Sequence, residues 1–495
     1  MVCNYQDTIC APATSAGTGA ISIVRISGPE SLGIADRIVE CGRGRIADAP
    51  GYSLKYGVVR KPSGDVLDDV VVSVFRAPHS YTGEDSVEIS CHASSYIVTE
   101  LLGLLVASGA RMAGPGEFTR RAFVNGKMDL AQAEAVADVI TASSEAAHRG
   151  AVNQLRGGYS SELKGLRDKL LEAAAMMELE LDFSEEEVEF ADRSQLRDLL
   201  ETLRSRVATL AASFRDGNAL KNGVPVAIIG AANAGKSTLL NALLGEDRAI
   251  VSDIAGTTRD TVEEVLTIDG IQFRFIDTAG LRETSDVVER LGISRSYDAL
   301  HKADVVIAVL DGSLPGDIVI ASAKELLSRC SEEQTFIPVL NKGDLTDVFD
   351  CKNGMRGIEA DNCDFTTGSD GKTYVSRNDG GNGNSGAGSL PEFLKISAKT
   401  GAGLDNLRRA IVQSQAGRFS TGETLVTNLR HYEALSRSLD ALNDCLHGLD
   451  SGLSTELLAE DLRAAISELG SVWGEGGISS QETLNLIFSK HCIGK

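Results

Sequence analysis

The chain has 495 residues, and at roughly 150 residues per domain this length corresponds to about three domains. That is enough chain to bury several cores without a disulfide or metal staple. Forty-eight basic residues against seventy acidic ones leave a net charge of −22, which excludes a basic glove over nucleic acid. Any RNA partner must be gripped by local patches or through a second protein.

The first 118 residues read as α/β. Residues 20–27 (AISIVRIS), 69–77 (DVVVSVFRA) and 87–92 (VEISCH) are short β-branched runs bounded by turn residues, and so predict strands. Over 94–106, Ile97, Leu101, Leu102, Leu104 and Leu105 keep helical spacing, with Gly109 as a stop. From Pro115 to Leu220 the texture is helical, Ala-rich and free of further Pro, with Leu196, Leu199, Leu200, Leu203 and Val207 on one stripe. It returns over 425–488, where Leu429, Tyr432, Leu435, Leu439, Leu442 and Leu446 repeat every three to four residues. Strands and helices alternate between these blocks.

Three consecutive domains would give this order, but an insertion is preferred: the helical blocks pack together and the central α/β domain is fed out between them. The expected divisions are 1–118, 119–221, 222–415 and 416–495. Within the third, residues 346–390 include GSDGKTYVSRNDGGNGNSGAGS, almost without large apolar side chains, and predict a disordered surface loop. The nine cysteines (Cys3, Cys10, Cys41, Cys91, Cys330, Cys351, Cys363, Cys445 and Cys492) form no C-x-x-C pair, which argues against a disulfide framework or a zinc site. With no leader pattern and no apolar run near ~20 residues, a cytoplasmic protein without a membrane partner is expected.

The chemistry concentrates in the third segment. The apolar run 224–229 (VPVAII) delivers Gly230-Ala-Ala-Asn233-Ala234-Gly235-Lys236-Ser237 into the helix-like 238–244. This G-x-x-x-x-G-K-S lies in its required context of strand, glycine loop and helix. Such a loop turns backbone N–H groups and a helix N-terminus toward a phosphate, Lys236 adds a cation, and the Ser237 hydroxyl can ligate Mg²⁺. Residues 273–276 lead into Asp277-Thr278-Ala279-Gly280, whose carboxylate can hold Mg²⁺ through water and whose Gly280 N–H can sense a γ-phosphate. Residues 336–340 lead into Asn341-Lys342-Gly343-Asp344, where a carboxylate can accept both N–H donors of guanine. Ser397-Ala398-Lys399 would approach the guanine O6, and Thr257-Thr258 occupy the place of a switch threonine. Five elements in this order point to guanine nucleotide binding. The candidate contacts are Asn233, Ala234, Gly235, Lys236, Ser237 and Thr238; Ser252, Asp253, Ile254, Ala255, Gly256, Thr257 and Thr258; Asp277, Thr278, Ala279 and Gly280; and Asn341, Lys342, Asp344, Ser397, Ala398 and Lys399.

One position departs from the Ras-like pattern. Leu281 stands where a Gln orients the attacking water, and an apolar side chain cannot do that. Glu289, in the charged run 286–290, either faces solvent or supplies the missing function.

GAANAGKS, AGTTRDT, DTAGLRETSDVVERLGI, NKGD and SAKT resemble the motifs of the MnmE (TrmE) tRNA-modifying GTPases. So do IVRISG (23–28), SYTGED (80–85), PGEFTRRAF (115–123), NGKMDLAQAEA (125–135) and the terminal CIGK (492–495). The likeness covers the chain except 346–390, a longer segment than the family leads one to expect. It implies a multidomain α/β protein: an N-terminal α/β folate-binding and dimerisation domain, a helical domain, and an inserted Ras-like P-loop GTPase domain.

The implied activity is modification of the wobble uridine (position 34) of certain tRNAs. An aminomethyl or carboxymethylaminomethyl group is added at C5, with a 5-formyl- or 5,10-methylene-tetrahydrofolate as one-carbon donor. A homodimer would assemble with the MnmG (GidA) flavoprotein into a heterotetramer, FAD entering only through that partner. K⁺ would promote meeting of the G domains, held by Asn233, Ser252, Ile254 and Thr257, partly through backbone carbonyls. Ser237 and Thr258 match the Mg²⁺ ligands, and Glu289 the catalytic glutamate that answers the Leu281 departure. Arg25, Glu84, Lys127 and Lys495 match folate contacts, and Cys492 a cysteine linked to the modification chemistry. The alternative is a regulatory RNA- or ribosome-assembly-associated GTPase switch making no covalent change. The G motifs do not separate the two; the N-terminal blocks and CIGK favour the enzyme.

Overall fold

The computed structural model describes residues 7–15, 17, 19–182, 193–245, 263–276, 299–331, 333–345, 363–367, 373–377, 393–415, 418, 425–475, 484, 487, 488 and 494. The chain divides into two units. One comprises Met1–Ala142, His148–Ala212 and Leu429–Lys495; the other comprises Ser143–Ala147 and Ser213–Asn428, and so interrupts the first in sequence.

The first unit begins with β1 (Ile9–Pro12), β2 (Ile21–Ser27), α1 (Ser31–Ile38), β3 (Val39–Cys41), β4 (Ser53–Arg60), β5 (Val66–Phe75), β6 (Ser86–His92), α2 (Ser95–Ala107) and β7 (Arg111–Met112). These strands form one sheet in the order β3-β4-β5-β6-β2-β1-β7, antiparallel throughout except for β1 against β7. Period-two alternation turns Val70, Val72 and Val74 of β5 inward, beside Val24, Ile26, Val87 and Ile89. Leu32 and Ile34 of α1 and Leu101 and Leu105 of α2 complete that core. β4 is a strand the β-branched runs do not announce. Its Leu54 and Tyr56 point outward, 72% and 65% exposed, so its alternation runs opposite to an ordinary apolar-in pattern. At Gly57 a Cβ would sit 2.5 Å from Val39 Cγ1 and 2.9 Å from the Glu40 carbonyl oxygen, so glycine permits the β3–β4 approach.

Helices follow: α3 (Glu117–Val124), α4 (Leu130–Thr141), α5 (Glu145–Leu155), α6 (Gly158–Asp182) and α7 (Arg193–Ala212). A capping box starts α4. The Asp129 carboxylate accepts from the Gln132 N–H, and Gln132 Oε1 accepts from the Asp129 N–H, each at 2.9 Å.

The second unit contains α8 (Phe214–Asn222), β8 (Val224–Ile229), α9 (Lys236–Gly245), β9 (Glu264–Ile268), β10 (Ile271–Phe275), β11 (Val305–Asp311), α10 (Gly316–Ser328), β12 (Thr335–Asn341), β13 (Cys363–Thr367), β14 (Thr373–Arg377), β15 (Leu394–Lys395) and α11 (Leu404–Gln413). Its main sheet runs β15-β12-β11-β8-β10-β9, parallel except for the β9–β10 hairpin. β8, β11 and β12 are near-continuous apolar runs because both faces of the sheet are covered. Val305, Ile307 and Val309 pack with Leu239, Leu243, Leu407 and Ile411, while Val306 and Ala308 pack with Ala227 and Phe336.

The expectation of a disordered loop over 346–390 is corrected for ten residues. β13 (CDFTT) and β14 (TYVSR) pair antiparallel, Cys363 opposite Arg377 and Thr367 opposite Thr373. Thr, Phe, Tyr and Val on either side of a Gly/Ser/Asp-rich GSDGK are a strand-pair signal in the sequence, hidden by the Gly/Asn/Ser-rich flank. The rest of 346–390 lies outside the described residues.

The chain returns to the first unit with α12 (Leu429–Asp450) and α13 (Thr455–Trp473). α12 packs on α13 and α7, and α13 also packs on α6. Leu458, Leu462, Ala465 and Leu469 form the buried stripe of α13. No helix among the described residues is long and apolar enough to cross a membrane.

One ion cluster joins helices from the two sides of the interruption. Arg430 Nε and Nη2 donate to the Glu134 carboxylate at 2.8 and 3.1 Å, and His431 Nε2 lies 2.7 Å from Glu134 Oε2. Arg430 also donates to the carbonyls of Ser471 and Val472 at 2.9 and 2.8 Å. The Tyr159 ring stacks on His431, centroids 5.3 Å apart. Burial by itself pushes the Glu134 carboxyl up, but the His431 and Arg430 charges and hydrogen bonds outweigh it and hold the group at about 2, below its ordinary 4.5. A depressed folded value means this stabilisation is complete above about pH 4.5 and is lost as pH falls through about 2. At roughly 1.4 kcal/mol per pH unit, about 3 kcal/mol is involved. The thermal stability of the full chain should therefore fall between pH 5 and pH 3. Glu134→Gln should cost roughly 3–5 kcal/mol at neutral pH and flatten that acid limb. An unchanged acid limb in the variant would contradict the assignment.

Candidate functional site

In the second unit, β8 and α9 are joined by the glycine loop. A Cβ on Gly230 would lie 2.1 Å from the Val309 carbonyl oxygen, so only glycine lets the loop leave β8 beside β11. Asn233 is exposed and takes a left-handed φ of 63°, and α9 begins at Lys236. The Lys236 ammonium donates to the carbonyls of Gly230 and Ala231 at 3.0 and 2.9 Å, folded back across its own loop. Burial lowers its pKa from the ordinary lysine value. Ser237 is half-buried and Thr238 exposed on the first turn of α9.

Asn341, at the end of β12 and only 3% exposed, ties this loop to two other segments. Its Nδ2 donates to the Ala234 carbonyl at 2.8 Å, and its Oδ1 accepts from the Ala398 N–H at 2.9 Å. A Cβ on Gly235 would fall 2.1 Å from that same Nδ2. Beside it, the Ser397 hydroxyl donates to Asp344 Oδ1 at 2.7 Å; that bond comes first in holding the exposed Asp344 carboxyl below its usual range. Lys399 is exposed.

Lys342, at φ 65°, reaches Asp311 Oδ2 at 2.6 Å. Asp311 ends β11, and its Oδ1 accepts from the Ser313 N–H and hydroxyl at 3.0 and 2.6 Å. Burial pushes the Asp311 carboxyl up, but Lys342 and Ser313 outweigh it and leave it lowered. Motif reading misses Asp311; the signal was an acidic residue closing the apolar run VVIAVLD. The structure thus brings Asn233, Ala234, Gly235, Lys236, Ser237 and Thr238 together with Asn341, Lys342, Asp344, Ser397, Ala398 and Lys399 at the carboxyl ends of parallel strands. That edge is where open α/β sheets receive ligands, and α9 presents its N-terminus to anions there. Ser252, Asp253, Ile254, Ala255, Gly256, Thr257, Thr258, Asp277, Thr278, Ala279, Gly280, Leu281 and Glu289 lie outside the described residues.

A second constellation lies in the first unit. Arg25 of β2 sits opposite Glu88 of β6, donating from Nε at 2.9 Å and lying within 2.8 Å through Nη2. Its guanidinium covers the rings of Tyr81 and Phe118, 5.1 and 5.6 Å from their centroids, and Nη1 donates to the Gly494 carbonyl at 3.3 Å. Gly494 has φ 98°, and a Cβ there would fall 2.0 Å from the Pro12 carbonyl oxygen. The chain's last glycine is therefore seated against β1. Glu84 Oε2 accepts from the Ser27 hydroxyl at 2.7 Å. Residues 78–84 are bolted to α3 and the turn after it. Tyr81 OH pairs with Thr119 Oγ1 at 2.8 Å, Asn125 Nδ2 donates to the Thr82 carbonyl at 2.7 Å, and Lys127 Nζ donates to the Pro78 carbonyl at 3.0 Å. Arg25, Glu84 and Lys127 are thus carried on connected segments. Cys492 and Lys495 lie outside the described residues.

The chain matches the family model of the MnmE helical domain over residues 130–492 and that of the GTP-binding protein TrmE N-terminus over residues 8–127. It is 46% identical over 493 residues to a protein of Bacteroides thetaiotaomicron named tRNA modification GTPase MnmE, covering 99% of this chain and 100% of that one. A protein of the same name from Bacteroides fragilis strain YCH46 is 47% identical over 493 residues, with the same coverage of 99% and 100%. Among solved structures, the G domain of the T. maritima FeoB iron transporter overlays with a TM-score of 0.23 at 23% identity, covering 39% of this chain and 98% of that one.

Asn341→Ala removes both bonds and leaves the Ala234 carbonyl and Ala398 N–H without their buried partner. Guanine-nucleotide affinity, read by calorimetric titration, should fall about 10- to 100-fold. Wild-type affinity in the variant would contradict the bridge.

Proposed function

The chain belongs to the MnmE family of tRNA modification GTPases, and we propose that it is the GTP-hydrolysing subunit that modifies C5 of the wobble uridine. The observation that carries the nucleotide half of this reading is Asn341, which fastens the glycine loop to the Asn-Lys-Gly-Asp and Ser-Ala-Lys segments.

On this reading the loop N–H groups and the α9 N-terminus receive the β-phosphate, and Lys236 exchanges its loop carbonyls for β/γ oxygens. Asp344, kept ionised and oriented by Ser397, accepts the N1–H and 2-amino donors of guanine, and Lys399 approaches O6. Ser237 and Thr258 would hold Mg²⁺. Asn233, Ser252, Ile254 and Thr257 would hold K⁺. Hard oxygen donors suit both ions, and the exposed Asn233 amide at the loop tip fits such a role. When bound, these cations supply positive charge beside the β/γ oxygens, as an arginine finger does elsewhere for ~10³–10⁵ in rate, roughly 4–7 kcal/mol of barrier. Glu289 orients the attacking water, which Leu281 cannot do. Meeting of two G domains completes the site, so a homodimer gates hydrolysis.

In the first unit, Glu84 accepts the pterin N–H donors of a tetrahydrofolate one-carbon carrier. Arg25, Lys127 and Lys495 are its cationic contacts, with Arg25 also tethering the terminal segment through Gly494. Cys492 is carried on that segment as a candidate nucleophile. FAD enters through an MnmG partner in a heterotetramer, and with a net charge of −22 that partner supplies much of the grip on tRNA. The working place is the cytoplasm.

Mass analysis of tRNA nucleosides from cells lacking this chain tests the proposal. Wobble uridines should lose their C5 substituent, regain it with the wild-type chain, and fail to regain it with Glu289→Ala. Unchanged uridines in cells without a paralogue would leave only a GTPase switch.

A further inference from the structure

Arg121 on α3 heads the largest fully buried side chains among the described residues, at 0% exposure. Burying a guanidinium is costly unless every charge around it is answered. Nη1 donates to the Asp7 carbonyl at 2.8 Å and to Glu84 Oε1 and Oε2 at 3.2 and 3.3 Å. Nη2 donates to Asp7 Oδ1 at 2.8 Å and to Glu117 Oε1 at 3.2 Å.

Asp7 and Glu117 have a second cation. Arg111 Nη2 lies 2.6 Å from Asp7 Oδ2 and 2.7 Å from Glu117 Oε1. Those two carboxylates would keep an ion pair if Arg121 were absent. Glu84 would not, because among the described residues Arg121 is its one cationic partner. The remaining contacts of Glu84 fix its direction: the Ser27 hydroxyl donates to Oε2 at 2.7 Å, and Ser27 in turn pairs with Thr82 Oγ1 at 2.7 Å. The carboxylate is thus held from its buried side by one guanidinium nitrogen, Nη1, shared between its two oxygens, and by a hydroxyl, while its side chain remains 14% exposed.

We infer that Arg121 is a positioning residue. Its guanidinium, pinned through Nη2 to Asp7 and Glu117, fixes Glu84 in one orientation through Nη1, so that the exposed side of the carboxylate selects a ligand with two adjacent N–H donors, such as the 2-amino, ring N–H edge of a reduced pterin. The inference rests on the folate reading above. A fixed acceptor pair discriminates between a ligand with both donors and one lacking the amino group; a carboxylate free to rotate does so less. Lysine keeps the charge but has no second nitrogen to hold Asp7 and Glu117 while the first holds Glu84.

The experiment is calorimetric titration of the full chain with 5-formyltetrahydrofolate and with its 2-deamino analogue, with GTP affinity and thermal unfolding as fold controls. The wild type should prefer the parent by at least about tenfold. Arg121→Lys should weaken the parent about 10- to 100-fold, bring the two ligands close to parity and leave GTP affinity unchanged. Wild-type discrimination in Arg121→Lys, or equal loss of both ligands, overturns the inference. If that variant does not fold, Ser27→Ala carries the test: it removes the second tether of Glu84 and should narrow the preference, and an unaltered preference overturns the inference. A wild type that binds no folate, or a Glu84→Gln variant that binds it as well as wild type, overturns the folate reading itself, and the role of Arg121 falls with it.

Discussion

Three segments distant in sequence meet on one buried amide. Asn341 gives its donor to the glycine loop and takes its acceptor bond from Ala398, so neither end is left without a partner in a place water does not reach. A buried amide satisfied at both ends fixes distances as well as energy. Gly235 has no room for a Cβ because the amide occupies that space, and the loop is held close to β12 in consequence. Part of the ordering cost of ligand binding is thereby met during folding. Lys236 follows the same logic: its ammonium is held by two loop carbonyls, which a phosphate can replace without unfolding the turn.

Buried ions are used twice in the first unit, to different ends. Around Glu134 they join α4 to α12 and to the end of α13, elements that the interruption separates in sequence. Around Arg121 they fasten α3 to Glu84 and to Asp7 just ahead of β1. The first cluster has no exposed carboxylate edge to offer, Glu134 being almost wholly covered, and its effect is on stability. The second leaves Glu84 partly open.

Residues that act through local pattern were readable from the sequence. Strand 224–229 coincides with β8 because an apolar run stops at a glycine loop. The helix at 94–106 differs from α2 by one residue at each end, and Gly109 takes the positive φ of a terminator. The strand at 69–77 is β5 shifted by a few residues, since Val66 and Leu67 precede its acidic turn-like pair. What pattern could not show is partnership across the chain. Asn341 is visible as a motif letter, but not as the link between loop and Ala398. Asp311 looks like the end of a strand until Lys342 reaches it. β4 hides because its aromatic and aliphatic side chains face outward, and the β13–β14 pair because the flanking sequence is glycine and asparagine.

Amide hydrogen exchange of the nucleotide-free full chain addresses the Asn341 bridge most directly. The Ala398 N–H should exchange slowly in the wild type and far faster in a chain carrying alanine at 341, with the amides of β11 unchanged. Rapid exchange at Ala398 in the wild type would mean that the three segments are not joined before nucleotide arrives.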